Sequence, residues 1–224
     1  MEETAMTVLR VDATIQGARS ASSALADLVM EPITSRLPDE PVLRRHLGQN
    51  PLPADAWARA VGAARLPAEQ LTPEQRNALA LARVVAAELS RADAAVLALP
   101  LYNWGVSQHV KTWIDLVIIG AGHGARPLEG KPVVLIITRG GAYGPGTPKE
   151  GWDYATPYLV RVLADVWGAD LTLVERELTL VGVNPALDGL ADLAALKKTA
   201  AEDAATAAGG ALAERLATTT TAAA

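Results

Sequence analysis

The sequence predicts a three-layer α/β/α fold built on a five-stranded parallel sheet. Short apolar runs alternate along the chain with longer stretches in which apolar residues recur every three or four positions. Runs without a polar break, such as residues 94–99, suit strands that are buried on both faces of a parallel sheet. A chain of 224 residues fits one domain with a well-buried core. Helical crossovers between the strands would then cover both faces of the sheet.

Five segments have the pattern of strands. Their positions are 8–11, 41–47, 94–99, 132–137 and 170–176. The second contains two arginines and is therefore expected at an edge of the sheet.

Helices are predicted between these strands. Pro32 is expected to end the regular hydrogen bonding of the first helix. Thr72 followed by Pro73 and Gln75 has the pattern of a capping box. The predicted helices run from about 20, near 57, from 72 to 90, from 107 to 119, from 152 to 167 and from about 188. We expect an N-terminal extension at 1–6, a single domain at 7–215 and a disordered tail at 216–224.

Composition excludes several classes of protein. The net charge of −5 and the absence of a basic run argue against nucleic-acid binding. No cysteine is present, so disulfides and thiolate metal sites are excluded, and no metal is expected. The first residues are acidic and no stretch reaches the roughly 20 apolar residues that span a bilayer. We therefore expect a soluble, cytoplasmic protein without nucleic-acid or membrane partners.

The first strand is followed by a loop that contains two serines. At Ser20 and Ser22, hydroxyls and free backbone N–H groups at the start of a helix can bind a phosphate, and the helix dipole favours an anion there. Serine is also a common N-cap, so an ordinary helix start explains the same residues. The loop matches neither the Gly-x-Gly-x-x-Gly pattern nor the P-loop, which disfavours a dinucleotide fold or an NTPase.

Two further loops follow the third and fourth strands. Asn103 offers both a donor and an acceptor, which suits the edge of a flavin or pyrimidine ring, and Trp104 offers a flat face. Gly140 and Gly141 let a ligand approach backbone N–H groups. Plain turns would explain either loop alone. All three loops, however, are expected at the carboxyl edge of the sheet, where open α/β folds bind ligands.

Several motifs resemble those of the FMN-dependent NADH:quinone oxidoreductases, also called AzoR-type azoreductases. Residues 100–104 (PLYNW) and 110–115 (VKTWID) resemble the family's P-M-Y-N-F followed by L-K-x-[YW]-[FI]-D. The SAS of residues 20–22 is similar to its S-x-S loop, and the TRGG of 138–141 is similar to its S-R-G-G. The NPLP of 50–53, and Asp153-Tyr154 followed by PYL, resemble its N-P-[IL]-P and D-F-x-x-P-Y-L. The matches keep their order from residue 8 to about 177.

The resemblance implies a flavodoxin-like fold with strand order 2-1-3-4-5, and a homodimer with one FMN per subunit near the interface. It also implies a ping-pong reaction. NADH or NADPH gives a hydride to flavin N5 and leaves, and a quinone, an azo compound or a related aromatic acceptor then takes the electrons. By position, the residues expected to hold the phosphate and ribityl chain are Thr14, Ser20, Ala21 and Ser22. Those expected to contact the isoalloxazine are Leu101, Tyr102, Asn103, Trp104, Thr138, Arg139, Gly140 and Gly141.

The chain departs from the family pattern after the helix that ends near residue 119. A longer hairpin with a T-F-x-Y element is usual there, whereas this chain has only a short segment without an aromatic residue at 120–130. A more open or differently lined substrate pocket is therefore expected. His123 in this segment is a candidate proton donor beside the flavin, although a histidine in a glycine-rich loop is commonly only solvated.

Other functions stay open at this point. The altered segment motivates a dedicated flavin-dependent tailoring enzyme of specialised metabolism, acting as a reductase, dehydratase or isomerase. A non-catalytic flavodoxin-like electron carrier is a second alternative. An acyl carrier protein phosphodiesterase would need a hydrolytic site, and the sequence offers no metal-ligand or nucleophile set for one.

Overall fold

The computed structural model, which describes residues 6–223, contains one parallel sheet of five strands. The order is β2-β1-β3-β4-β5, and every neighbouring pair is parallel. This confirms the predicted fold class and the order that the resemblance implied. The strands are β1 (Val8–Asp12), β2 (Val42–His46), β3 (Ala94–Ala98), β4 (Pro132–Thr138) and β5 (Asp170–Arg176).

In the described part of the chain, six α-helices flank the sheet in two layers. They are α1 (Ala21–Arg36), α2 (Ala56–Ala63), α3 (Pro73–Arg91), α4 (Gln108–Ala121), α5 (Ala155–Val160) and α6 (Ala191–Ala223). Short 3-10 turns lie at 17–19, 68–70 and 185–190, and α5 continues as a π-helix over Arg161–Val166. The predicted capping box is present, since Thr72 accepts from the amide of Gln75 and the Gln75 side chain accepts from the amide of Thr72.

The core consists of two apolar layers, one on each face of the sheet. Every residue of β1 and β3 is buried, as expected for strands in the interior of a parallel sheet. Alternate strand residues face opposite sides, so Leu9 and Leu97 pack with α2, α3 and α4, whereas Val8 and Val96 pack with α1 and α6. The edge strand β2 is only partly buried, in agreement with its two arginines.

Three helix boundaries inside the domain differ from the expectations by three residues or more. Helix α1 continues beyond Pro32 to Arg36, because tertiary packing that buries Ile33 compensates for the hydrogen bond that proline cannot make. Helix α5 begins at Ala155 and not near 152, since the preceding residues form a loop. A 3-10 turn precedes α6, which begins three residues after the expected position of 188.

The ends of the domain also differ from the expected boundaries. Met6 is buried in the layer that contains α1 and α6, so it is part of the core and not of an extension. Helix α6 runs to Ala223 and buries Leu216, whereas a disordered tail was expected from 216. Alanine is the strongest helix former, and contact with α1 stabilises the helix further. Residues 1–5 and 224 lie outside the described residues.

Two adjacent glycines of α6 provide a test of its packing. A Cβ at Gly209 would collide with the Val29 carbonyl and lie 2.8 Å from Cγ of Pro32, whereas a Cβ at Gly210 would meet nothing within 4 Å. We expect Gly209→Ala to lower the free energy of unfolding by about 1–3 kcal/mol through overpacking. The matched control Gly210→Ala is expected to raise it by about 0.5–1 kcal/mol. Urea unfolding measures both, and equal effects would contradict this packing of α6.

Candidate functional site

The loops after β1, β3 and β4 meet at the carboxyl edge of the sheet and are hydrogen-bonded to one another. The amide of Ile15 donates to the Tyr102 hydroxyl at 3.2 Å, which joins the first loop to the second. The amide of Leu101 donates to the carbonyl of Thr138 at 2.9 Å, which joins the second to the third. The predicted candidate residues of these loops are therefore brought together in one site.

The first loop presents a set of polar groups at the start of α1. Ser20 caps the helix, because its hydroxyl accepts from the amide of Ser23 at 3.2 Å, and it lies 3.0 Å from the hydroxyl of Ser22. Thr14 is buried and accepts from the amide of Gln16. The amides in the first turn of a helix have no intrahelical partner, so those of residues 21 and 22 add donors beside the hydroxyls. The N-cap interpretation is thus correct for Ser20, and the same geometry offers hydroxyl and amide donors to an anion.

A buried ion pair that the sequence analysis did not single out lies beneath this loop. Arg10 and Asp12 are 5% and 7% exposed, and Arg10 Nε donates to Asp12 Oδ2 at 2.7 Å. Burial works to lower the pKa of Arg10, but hydrogen bonds to Asp12 and Asp27 outweigh it and raise the pKa. The sequence signal was available, because two charged residues two positions apart interrupt a strand that is otherwise apolar.

The second loop is a tight turn with an unusual backbone. Tyr102 and Gly105 exchange two backbone hydrogen bonds of 3.0 and 2.9 Å around the two central residues. Asn103 and Trp104 have φ angles of 47° and 67°, in the left-handed region where residues with side chains are uncommon. Asparagine adopts this region readily, whereas for a tryptophan such strain costs on the order of 1–3 kcal/mol and clusters at functional sites.

The side chains at the tip of this turn face solvent. Asn103 is exposed, and Trp104 is 46% exposed although it is a large aromatic residue. The Trp104 ring contacts Trp152 edge to face, with 6.1 Å between ring centroids. The backbone carbonyl of Trp104 accepts from the amide of Tyr154. The loop that precedes α5 therefore supports the turn and leaves part of the indole face open.

The third loop is held by a buried arginine. Arg139 Nε donates to Asp153 at 2.6 Å, and its Nη2 donates to Thr156 at 2.8 Å and to Glu175. Its amide donates to the carbonyl of Arg176. These contacts tie β4 to β5 and to the start of α5. The ring contact that the resemblance implied for Arg139 stays a prediction.

The carboxylate of Asp153 is the centre of this cluster. Its Oδ1 accepts from the amides of Ala155 and Thr156, both at 2.9 Å, and its Oδ2 accepts from Arg139 and from the Thr156 hydroxyl. Burial works to raise the pKa of Asp153, but the hydrogen bonds from Thr156 and Arg139 outweigh it and hold the pKa below its ordinary value. For Arg139, burial works to lower the pKa, and the bonds to Glu175 and Asp153 raise it.

The two glycines of the third loop are constrained by neighbouring side chains. A Cβ at Gly140 would lie 2.6 Å from Cδ1 of Leu180, so the close approach here is made by the protein itself. A Cβ at Gly141 would lie 3.3 Å from Nζ of Lys149. The sequence analysis had explained both glycines by ligand approach or by a plain turn, and packing against Leu180 is a further reason for the first.

His123 lies apart from the other candidate residues. It is exposed in the turn between the end of α4 and the start of β4, which is the amino edge of the sheet and therefore opposite the three loops. Within one chain, the structure does not support its role as a proton donor at this site. Among residues 6–223, no cluster of three or more His, Asp or Glu side chains could hold a metal ion. No helix in the same range is long and apolar enough to cross a bilayer.

Comparison with known proteins agrees with the fold described above. Residues 6–205 match the model of a family described by its flavodoxin-like fold. A relative from Frankia alni named FMN-dependent NADH:quinone oxidoreductase is 39% identical over 202 residues, covering 88% of this chain and 95% of the relative. A relative of the same name from Streptomyces avermitilis is 37% identical and covers 94% of this chain and 99% of its own length. The chain belongs to the family of FMN-dependent NADH:quinone oxidoreductases, within the flavodoxin-like fold.

A solved structure is similar in fold. The crystal structure of an azoreductase from Bacillus anthracis aligns with a TM-score of 0.73 at 23% identity, covering 92% of this chain and 99% of the azoreductase. Membership in the oxidoreductase family confirms the resemblance that the motifs at 20–22, 100–104 and 138–141 indicated.

The Asp153 cluster predicts a pH-dependent contribution to stability. Because the folded-state pKa of Asp153 is below its ordinary value, the ionised carboxylate stabilises the fold above that value, and the contribution is lost as the pH falls through the folded pKa. We expect Asp153→Asn to lower the free energy of unfolding at pH 7 by about 1–2 kcal/mol. The difference from wild type should narrow below about pH 4.

Urea unfolding at pH 7 and pH 3 measures this difference. Asp55→Asn is the control, since Asp55 pairs with Arg59 on an exposed helix surface and should change stability by less than about 0.5 kcal/mol. A difference between Asp153→Asn and wild type that does not depend on pH would contradict the role given to the carboxylate.

Proposed function

We propose that this protein is an FMN-dependent NAD(P)H oxidoreductase that reduces a quinone, an azo compound or a related aromatic acceptor. The observation that carries the proposal is the 39% identity, over 88% of this chain, to a relative named FMN-dependent NADH:quinone oxidoreductase. The three linked loops at the carboxyl edge support it, because open α/β sheets bind ligands there. Bound FMN would supply hydride acceptance from the nicotinamide and electron delivery to the acceptor.

The donors of the first loop fit the phosphate of FMN. Thr14, Ser20 and Ser22 carry buried hydroxyls, and the first amides of α1, including that of Ala21, add donors at the positive end of the helix dipole. The nearby Asp12 carboxylate is paired with Arg10 and accepts from Ser23, so its charge is compensated. These residues would hold the phosphate and the adjoining ribityl chain.

The second and third loops fit a flat ring. Asn103 can bond to the mixed donor and acceptor edge of an isoalloxazine, and the exposed face of Trp104 can pack on it. The backbones of residues 101–102 and 138–141 line the same edge, held in place by the Leu101 to Thr138 hydrogen bond and the Arg139 cluster. These residues would orient the ring and exclude water from it.

We further propose a homodimer with its interface near this site, and a cytoplasmic location, where NADH is available. Three large side chains around the loops are exposed in the single chain and support an interface there. They are Ile15 (63%), Trp152 (49%) and Tyr154 (68%). A second subunit could cover them and complete the pocket at the carboxyl edge.

The comparisons favour neither alternative function. The curated relatives that cover most of this chain are named as oxidoreductases that use NADH, which is not the role of a passive electron carrier. The short segment at 120–130, which motivated a dedicated tailoring reaction, lies at the amino edge of the sheet, opposite the three loops, and within one chain it gives that alternative no support.

Trp104→Gly tests the proposed ring contact. Glycine accepts a φ of 67° without strain but removes the aromatic face, so FMN affinity should fall about fivefold to tenfold. The relieved strain offsets the lost contact with Trp152, so the free energy of unfolding without FMN should change by less than about 1 kcal/mol. Quenching of flavin fluorescence and urea unfolding measure the two quantities. The control is Trp57→Ala, which removes an equally exposed tryptophan from α2 (45%) and should leave FMN affinity unchanged.

The activity is tested directly with the purified protein. After reconstitution with FMN we expect a yellow protein that oxidises NADH rapidly only when a quinone such as benzoquinone is present, with parallel double-reciprocal lines typical of a ping-pong reaction. Stopped-flow mixing with NADH alone should bleach the flavin absorbance, which would not occur at a useful rate in an electron carrier. A protein that stays colourless, or that binds FMN and is not reduced by NADH, would overturn the proposal.

A further inference from the structure

Two charged residues lie inside a strand in the interior of the sheet. Arg10 and Asp12 belong to β1, which lies between β2 and β3, and both are more than nine-tenths buried. They face the layer that contains α1, as Val8 does. Charges in the interior of a protein are costly unless paired, and removal of one partner leaves an uncompensated charge. A reason for their presence is therefore to be sought in what they contact.

The pair binds the first two turns of α1. Asp12 Oδ1 accepts from the hydroxyl of Ser23 at 2.7 Å. Arg10 Nη1 donates to Asp27 Oδ1 at 2.5 Å, and Nη2 donates to the carbonyl of Ser23 at 3.3 Å. Ser23 and Asp27 are one helical turn apart, so the strand holds this face of the helix at two successive points.

Ser23 connects the ion pair to the serines of the first loop. Its amide donates to the Ser20 hydroxyl at 3.2 Å, and that hydroxyl lies 3.0 Å from the hydroxyl of Ser22. A continuous chain of hydrogen bonds thus runs from Asp12 through Ser23 to the two buried hydroxyls. The orientation of these hydroxyls depends on where Ser23 is held.

We propose that Arg10, Asp12 and Ser23 are positioning residues for the phosphate of FMN, fixing the start of α1 so that Ser20 and Ser22 present their donors in one arrangement. This rests on the proposed function of the site. Asp12 places a negative charge beneath an anion site, and Arg10 compensates for it. The pair therefore supplies rigidity, and its net electrostatic effect on the phosphate is small.

Asp12 could act on the phosphate by electrostatic repulsion or by positioning the start of α1, and the two predict opposite changes in FMN affinity. Loss of a charge that repels the phosphate would tighten FMN binding in Asp12→Asn, whereas loss of positioning would weaken it. Ser23→Ala removes the hydroxyl link without a change in charge. Riboflavin, which lacks the phosphate, is the ligand control. Glu88→Gln is the protein control. It removes the partly buried ion pair between Glu88 and Arg45, which joins β2 to α3 and is not bonded to α1.

The experiment measures dissociation constants for FMN and riboflavin by fluorescence quenching, with the melting temperature followed by circular dichroism. Ser23→Ala and Asp12→Asn should each weaken FMN binding about tenfold and leave riboflavin binding within about twofold of wild type. Ser23→Thr, which keeps the hydroxyl, and Glu88→Gln should stay within about threefold for both ligands, even if Glu88→Gln melts at a lower temperature.

Several results would overturn the inference. One is FMN affinity that is unchanged or higher in Ser23→Ala or in Asp12→Asn. Another is an equal loss of affinity for FMN and riboflavin, which would indicate a merely structural role. A wild-type protein that does not bind FMN would instead remove the proposed function on which the inference rests, so the two failures are distinguishable.

Discussion

The parallel pairing of all five strands is the constraint on which the site depends. The strands β1, β3 and β4 all end at the same edge of the sheet. The loops that follow them, although far apart in sequence, are therefore neighbours because of the strand pairing itself. The register places Asp12 beside Ala98, and Ala98 beside Ile136, so the ends of these three strands lie within two residues of one another in register. The hydrogen bonds between the loops then need to fix only local orientation.

Buried arginines perform that local task in two of the three loops. Arg10 lies under the first loop and is paired with Asp12 and Asp27, and Arg139 lies under the third and is paired with Asp153 and Glu175. In both cases an arginine in or directly after a central strand binds two carboxylates, at least one of them from a neighbouring segment. Charged anchors of this kind hold a loop from beneath. The outer surface of the loop is then left to hydroxyl, amide and aromatic groups that can face a ligand.

Much of this organisation was predictable from local sequence. The strands, most helices and the three loops follow from apolar periodicity and from residues such as Thr72 that start a helix, because these signals are local. The partners of Arg10 could not be predicted, since Ser23 and Asp27 come near it only when α1 packs on the sheet. The extension of α6 past 215 was missed for the same reason, because burial of Leu216 against other elements cannot be inferred from an Ala/Thr-rich composition.

The turn at the second loop shows how the site departs from the lowest-energy choice for folding alone. Glycine would adopt the left-handed backbone at Asn103 and Trp104 without strain, and the turn is held by the paired bonds of Tyr102 with Gly105 and by the bond from Tyr154. Since nearly half of Trp104 is exposed, it stabilises the fold less than a fully buried tryptophan would. Trp104 is therefore kept in a strained position at the edge where a ligand would bind. The proposed packing of Trp104 against the flavin ring would give this side chain a reason that folding does not.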